Sequence, residues 1–160
     1  KALNMAKPGD VIILSNDGGE SYRSLIGEIM FTYLASRGAA GIIIDGPIRD
    51  IDAVRKMEMP IYATGTNPAG PYKEGPGEIN VPISCGGISI NPGDIIVMDE
   101  DGVIVIPLQE AETVLKNARA FQEKDEAKLL AAQEGRAKRE WVDALIEKKE
   151  VEILDKAWNE

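Results

Sequence analysis

The chain contains no histidine and a single cysteine, Cys85, in 160 residues. Without histidine it lacks the commonest metal ligand and the commonest general base near neutral pH. One thiol cannot form an intrachain disulfide and argues against a structural zinc site, which fits a reducing, cytoplasmic compartment. Any metal must then sit among oxygens, which favours magnesium or manganese. Basic residues are also scarce: 18 Lys and Arg stand against 27 Asp and Glu, a net charge of −9. That balance offers no basic face for nucleic acid. It also requires an anionic substrate to be drawn by a local feature, against the overall field. No apolar run approaches the ~20 residues of a membrane span, and the opening residues carry no signal-peptide pattern. Neither a nucleic acid nor a membrane is expected as a partner.

What is present is ordinary for one globular domain: 44% hydrophobic and 28% charged residues, enough chain for a sizeable core. The organising stretch runs from Leu25 to Val54. Ile26, Ile29, Met30, Tyr33 and Leu34 recur at helical spacing, which predicts a helix with one apolar face. Gly27 and Glu28 mark its start, and Gly38 its end. Gly41 to Ile44 is an apolar, branched run that predicts a buried strand, and Asp45-Gly46-Pro47 is expected to break it. Arg49 and Asp50 follow. A helix start beside a strand end would place free N–H groups opposite an arginine and a carboxylate.

Along the rest of the chain, Lys1 to Lys7 reads as the end of a helix stopped by Pro8-Gly9. Val11 to Leu14 is expected to be a strand ended by Asp17-Gly18. Ser15 to Ser24 is a polar loop that would form part of the site wall. The Pro8-Gly9-Asp10 pattern returns 84 residues on, at Pro92-Gly93-Asp94 before Ile95 to Met98. This admits an internal repeat or shared turn chemistry, and one short match favours the second. Asp52 is placed to cap a short helix reaching about Met57. Ile61 to Thr64 reads as a strand and Asn67 to Glu78 as an exposed loop. Ile79 to Ile83 and Ile88 to Ile90 read as a hairpin with a rather long Cys85-Gly86-Gly87 turn. A further strand spans Val103 to Ile106.

From residue 108 the composition turns to Ala, Glu, Lys and Leu. Two helices are expected, interrupted by Gly135 and carrying Phe121, Trp141 and Trp158. The organisation is a core over 1–107 and a helical C-terminal arm over 108–160; the arm is either solvated or laid on a neighbouring subunit, and the large apolar Trp141 and Trp158 favour the second. Strands alternating with helices, then strands, then helices, give an α/β layered fold.

Each candidate site residue has a plain alternative. Arg49 is an exposed arginine after a turn, or a planar clamp on a carboxylate or another oxyanion. Asp50 pairs with a base or caps the next helix, or it binds a hard divalent ion. Glu28 is a favourable acid in a first helical turn, or it orients a water as general base. Gly27, Glu28, Ile29 and Met30 form an ordinary helix end, or their N–H groups receive an anionic group such as a carboxylate. Cys85 has no histidine to activate it and reads as a packing or turn residue.

Glu28, then 20 residues, then Arg49-Asp50 resembles the D-x20-R-D signature of the 4-hydroxy-4-methyl-2-oxoglutarate aldolases, within the RraA-like family. The likeness continues through GTNPAGPYKEGPGEINVPISCGG to PGDIIVMDEDGVIVIP, covering about residues 8 to 107. One position departs: Glu28 stands where the signature has Asp. The resemblance implies a swivelling β/β/α fold assembled as a trimer or hexamer, with a further N-terminal segment ahead of Lys1. It implies a divalent-metal-dependent pyruvate aldolase, with oxaloacetate decarboxylation open to the same site. Arg49 and Glu28 would be the catalytic residues, Gly27 to Met30 and Arg49 would bind substrate, and Asp50 would hold the metal. The other activity open to the family is non-catalytic regulation of ribonuclease E. The regulators lack the acid after the arginine, and this chain has it in Asp50.

Overall fold

The computed structural model describes residues 1–16 and 22–154. Asp17-Gly18, most of the loop before Ser24, and Trp158 therefore lie outside the described residues. The chain forms two compact units, Lys1–Ala111 and Glu112–Glu160.

The first unit is built on two β-α-β passes. After α1 (Ala2–Met5) come β1 (Val11–Ser15), α2 (Glu28–Ser36), β2 (Gly41–Ile48), α3 (Ile51–Val54) and β3 (Ile61–Thr66). The three strands form one parallel sheet in the order β1-β2-β3, with Ile42 opposite Ile12 and Ile61. A central parallel strand is covered on both faces, which explains the unbroken apolar run of β2. Ile42 and Ile44 point to one face, where they pack in a single cluster with Phe31 and Leu34 of α2, and with Leu3, Ala6, Ile26 and Ile48. Each such burial contributes roughly 1.5–3 kcal/mol.

Two expectations about this region need correction. The buried face of α2 is Leu34, as expected, together with Phe31, both fully buried, whereas Ile29, Met30 and Tyr33 are exposed by 82%, 45% and 41%. The helix begins only at Glu28, so Ile26 lies before it. The 3.6-residue period then turns positions 31 and 34 to the sheet, and positions 29, 30 and 33 away from it. Nor does Asp45-Gly46-Pro47 end β2. The strand continues to Ile48, with its register to β3 shifted between Ile44 and Pro47. A proline without an N–H is tolerated at such an irregularity.

The remaining strands form two antiparallel hairpins, β4 (Ile83–Cys85) with β5 (Ile88–Ile90), and β6 (Ile95–Asp99) with β7 (Gly102–Ile106). Ile79 to Pro82 stay outside the first hairpin, whose turn is tight rather than long. Cys85 pairs directly with Ile88, and Gly86 and Gly87 take φ of +57° and +79°, the mirror-image turn that glycine permits. The Tyr62 hydroxyl donates to the Asp99 carbonyl, which ties β6 to β3.

The two Pro-Gly-Asp turns are alike in detail. The Lys7 N–H donates to the Asp10 carboxylate at 2.9 Å, and the Asn91 N–H to that of Asp94 at 2.8 Å. The strands they feed differ: β1 pairs in parallel with β2, and β6 antiparallel with β7. The recurrence is therefore shared turn chemistry.

The second unit holds α4 (Ala111–Gln133, entered from a 3-10 turn at Leu108–Glu110) and α5 (Glu140–Lys148). Neither helix has a buried residue; Phe121 and Trp141 are largely exposed. No helix among the described residues is long and apolar enough to cross a membrane.

Candidate functional site

The chain between Glu28 and Arg49 forms α2 and β2, and the fold closes that separation at the C-terminal end of β2. Leu25 and Ile26 run beside the end of the strand: the Leu25 N–H donates to the Pro47 carbonyl at 2.9 Å, and the Arg49 N–H to the Ile26 carbonyl at 3.2 Å. Ile26 and Ile48 form a parallel bridge. Because Ile26 and Ile48 are both buried, this clamp is fixed by the core. It sets the N-terminus of α2 against the turn after β2.

Asp50 occupies that turn in a left-handed conformation, φ 63° and ψ 41°. Aspartate tolerates this region better than most residues, though at some cost in strain. It stands at the N-cap position of α3, where Asp52 was expected to be. Its side chain does not cap α3. Instead Asp50 Oδ2 accepts the N–H of Glu28 at 3.0 Å, capping α2 from a distant part of the chain. The same oxygen lies 3.4 Å from Arg49 Nε, with both side chains about four-tenths exposed. One carboxylate oxygen thus joins the helix start to the arginine.

Two glycines make room for this. A Cβ on Gly27 would lie 2.4 Å from Asp50 Oδ2 and 2.8 Å from Arg49 Nε, and one on Gly70 would lie 2.7 Å from Arg49 Nη1. Arg49 runs through a slot that any side chain at either position would fill. Gly70 belongs to a loop held by Ser24, which is fully buried and donates both its N–H and its hydroxyl to the Ala69 carbonyl at 2.8 Å.

The sequence-predicted residues are therefore brought together, with one change in what the helix start offers. The Glu28 N–H is taken by Asp50, and the Met30 N–H turns back to the Gly27 carbonyl at 3.0 Å. Glu28 and Ile29 side chains point to solvent. Arg23 and Ser24 fall in the loop expected to form part of the site wall, but sequence reasoning singled out neither of them, nor Gly70. The only local signal was a polar Arg-Ser pair just before Leu25-Ile26 and a glycine after Pro68-Ala69. Cys85 lies away from this cluster, beside Asp45. Burial pushes its thiol pKa up, and the Asp45 charge adds to the effect.

Among the described residues no group of three His, Cys, Asp or Glu side chains could enclose a metal. A single exposed carboxylate such as Asp50 suits a hard ion that keeps most of its waters, as magnesium and manganese do, and does not suit zinc.

A family model described as RraA-like, Aldolase/RraA, matches residues 1–105. The chain belongs to this family. A protein of Halalkalibacterium halodurans, named as a candidate 4-hydroxy-4-methyl-2-oxoglutarate aldolase, is 46% identical over 128 residues, covering 80% of this chain and 60% of that one. This Aldolase/RraA chain therefore spans about six-tenths of that curated relative. Among solved structures, RraAS2 of Streptomyces coelicolor, described as an unusual member of the RNase ES inhibitor RraA family, aligns at TM-score 0.72. It is 33% identical, covering 78% of this chain and 63% of that one. An uncharacterised Pseudomonas syringae protein aligns at 0.73 with 31% identity, covering 82% and 66%. The α/β fold of RraA type is thus the fold expected from the sequence.

Proposed function

We propose that the chain carries the site of a divalent-metal-dependent pyruvate aldolase, which cleaves 4-hydroxy-2-oxo acids of the 4-hydroxy-4-methyl-2-oxoglutarate type and also decarboxylates oxaloacetate. The observation that carries this reading is the locking of Arg49 and Asp50 onto the Gly27–Glu28 helix start, supported by the name of the Halalkalibacterium relative.

Arg49 holds the 2-oxo acid end of the substrate through its planar donors, which match a carboxylate or enolate oxygen pairwise. The α2 start, Gly27 to Met30, adds its dipole to the same end. Glu28 takes the proton from the C4 hydroxyl, directly or through a water. Its carboxylate sits on a side chain one methylene longer than the family Asp, at the exposed mouth of the site. The C3–C4 bond then breaks, its electron pair passes to the 2-oxo oxygen, and a proton returned to C3 gives pyruvate. Arg49 stabilises the negative charge that develops between those two events. Asp50 would hold the magnesium or manganese, which when bound supplies Lewis-acid stabilisation of the same charge. Loss of carbon dioxide from oxaloacetate leaves the same enolate without needing a base to lift a hydroxyl proton.

The exposed apolar Ile29, Met30 and Tyr33 beside this site, with Phe121 and Trp141 on the C-terminal helices, support a homo-oligomer, trimer or hexamer, with the site near a subunit boundary and residues 108–160 as the arm. A cytoplasmic location accords with the single unpaired thiol.

The test is pyruvate release from a panel of 4-hydroxy-2-oxo acids and oxaloacetate. The expected result is turnover that EDTA abolishes and magnesium or manganese restores; full turnover in excess EDTA contradicts it. A second reading, a non-catalytic regulator of ribonuclease E, is favoured by the likeness to RraAS2. Asp50 speaks against it, since the regulators lack that acid.

A further inference from the structure

Arg23 has no role in the site as built so far, yet it stands beside it. Its Nη1 donates to the Gly70 carbonyl at 2.8 Å, and its guanidinium lies 4.5 Å from the centre of the Tyr72 ring. Gly70 therefore carries an arginine on each side: Arg49 Nη1 against its α-carbon and Arg23 Nη1 on its oxygen. Following those contacts through the glycine with ordinary bond lengths, the two nitrogens are no more than about 9 Å apart. Among the described residues no carboxylate pairs with Arg23, whereas Arg49 has Asp50. Arg23 is half-buried and its plane is fixed by the carbonyl and the ring, so its remaining N–H donors are pre-oriented at little entropic cost. It also lines an open cleft of about 510 Å³ with Ser24, Leu25, Tyr72, Lys73 and Glu74, so a small ligand reaches it there; Arg49 is not part of that lining and is linked to Arg23 through Gly70.

Arg23 is not needed to hold the loop, because buried Ser24 already bonds twice to the neighbouring Ala69 carbonyl. Two guanidiniums brought to one glycine in a chain of net charge −9 form the local feature that draws an anion against the field. We propose that Arg23 binds the far carboxylate of a dicarboxylic 2-oxo acid whose 2-oxo end is held at Arg49, and so selects dicarboxylates over monocarboxylates. The two carboxyl carbons of an extended five-carbon diacid are about 5 Å apart. With a hydrogen bond at each end, such a molecule is long enough to reach across the greatest separation the two arginines can have. This inference rests on the 2-oxo acid reading of the Arg49 site.

The experiment is calorimetric binding, with magnesium present, of pyruvate, 2-oxopentanoate and 2-oxoglutarate. The last two share a chain length and differ in a methyl against a carboxylate, and none has the 4-hydroxyl needed for cleavage. The wild-type chain is expected to bind 2-oxoglutarate roughly 10- to 100-fold more tightly than 2-oxopentanoate. Arg23→Met should bring that ratio close to one, and Arg23→Lys should recover part of it. Thermal melts establish that each variant is folded. A wild type that binds pyruvate but shows no preference overturns the role of Arg23 and leaves the 2-oxo acid reading standing. So does an Arg23→Met variant that keeps the preference, or one that weakens all three ligands equally, which would mark Arg23 as a prop for Gly70. A wild type that binds none of the three overturns the 2-oxo acid reading, and the role of Arg23 with it.

Discussion

The two halves of the first unit are built differently. Residues up to 66 hold Leu3, Ile26, Phe31, Leu34, Ile42, Ile44, Ile48 and Val54 in one buried cluster, whereas beyond them Ile90 is the only buried hydrophobic among the described residues. The first half is a parallel sheet with a helix packed on it; the second is two hairpins. The site stands at the edge of the first half, on Gly27, Glu28, Arg49 and Asp50, with the second half contributing a single loop through Gly70. A site that must hold an arginine within a fraction of an ångström needs supports that do not move, and packed elements supply that better than hairpins of partly exposed strands.

The two halves should differ most in how much a truncated side chain costs in stability. Phe31→Ala should cost about 3–5 kcal/mol. Ile104→Ala, at a side chain 61% exposed on β7, should cost less than about 1 kcal/mol. Urea unfolding of both variants measures the difference, and equal losses would erase the distinction between the halves. Next comes Gly27→Ala. Its Cβ would overlap Asp50 Oδ2 and Arg49 Nε, but both side chains are partly exposed and can swing outward. Pyruvate release should therefore fall about 100-fold while the melting temperature moves by only a few degrees. A large stability loss with normal turnover per folded molecule would show that Gly27 serves the fold and not the site. The smallest effect concerns the hairpin half. Because burial and Asp45 raise the Cys85 pKa, its thiolate is scarce near neutral pH. Alkylation by iodoacetamide at pH 8 should be severalfold slower than for a free thiol, and should reach the free rate in urea.

The same contrast explains what the sequence could reveal. The extent of α2, the apolar run of β2 and the charged pair after it are local patterns, and each lies close to where it was expected. The buried face of α2 was misread in part: Leu34 is buried as expected, but Ile29, Met30 and Tyr33 also carry large apolar surface, and hydrophobicity does not say which face meets the sheet. The continuation of β2 through Pro47 depends on bonds from Leu25, far along the chain. Arg23 and Gly70 could not be paired from sequence at all, since 47 residues separate them and neither stands in a distinctive local pattern. The placement of Asp50 beside Glu28 was expected; its use as a cap on α2 was not, because that bond exists only once the sheet has formed.

In the proposed metal-dependent site Arg49 and Asp50 do different work. The decisive measurement is kcat/KM for 4-hydroxy-4-methyl-2-oxoglutarate, followed across a magnesium titration in the wild type, Arg49→Ala and Asp50→Asn. Asn at position 50 tolerates the left-handed backbone, so the change removes charge without adding strain. Asp50→Asn should need far more magnesium and recover part of its rate as magnesium rises. Arg49→Ala should lose about 100-fold, roughly 3 kcal/mol, at every magnesium concentration. Near wild-type rates for both variants at limiting magnesium would contradict the account and leave the non-enzymatic regulator as the better reading.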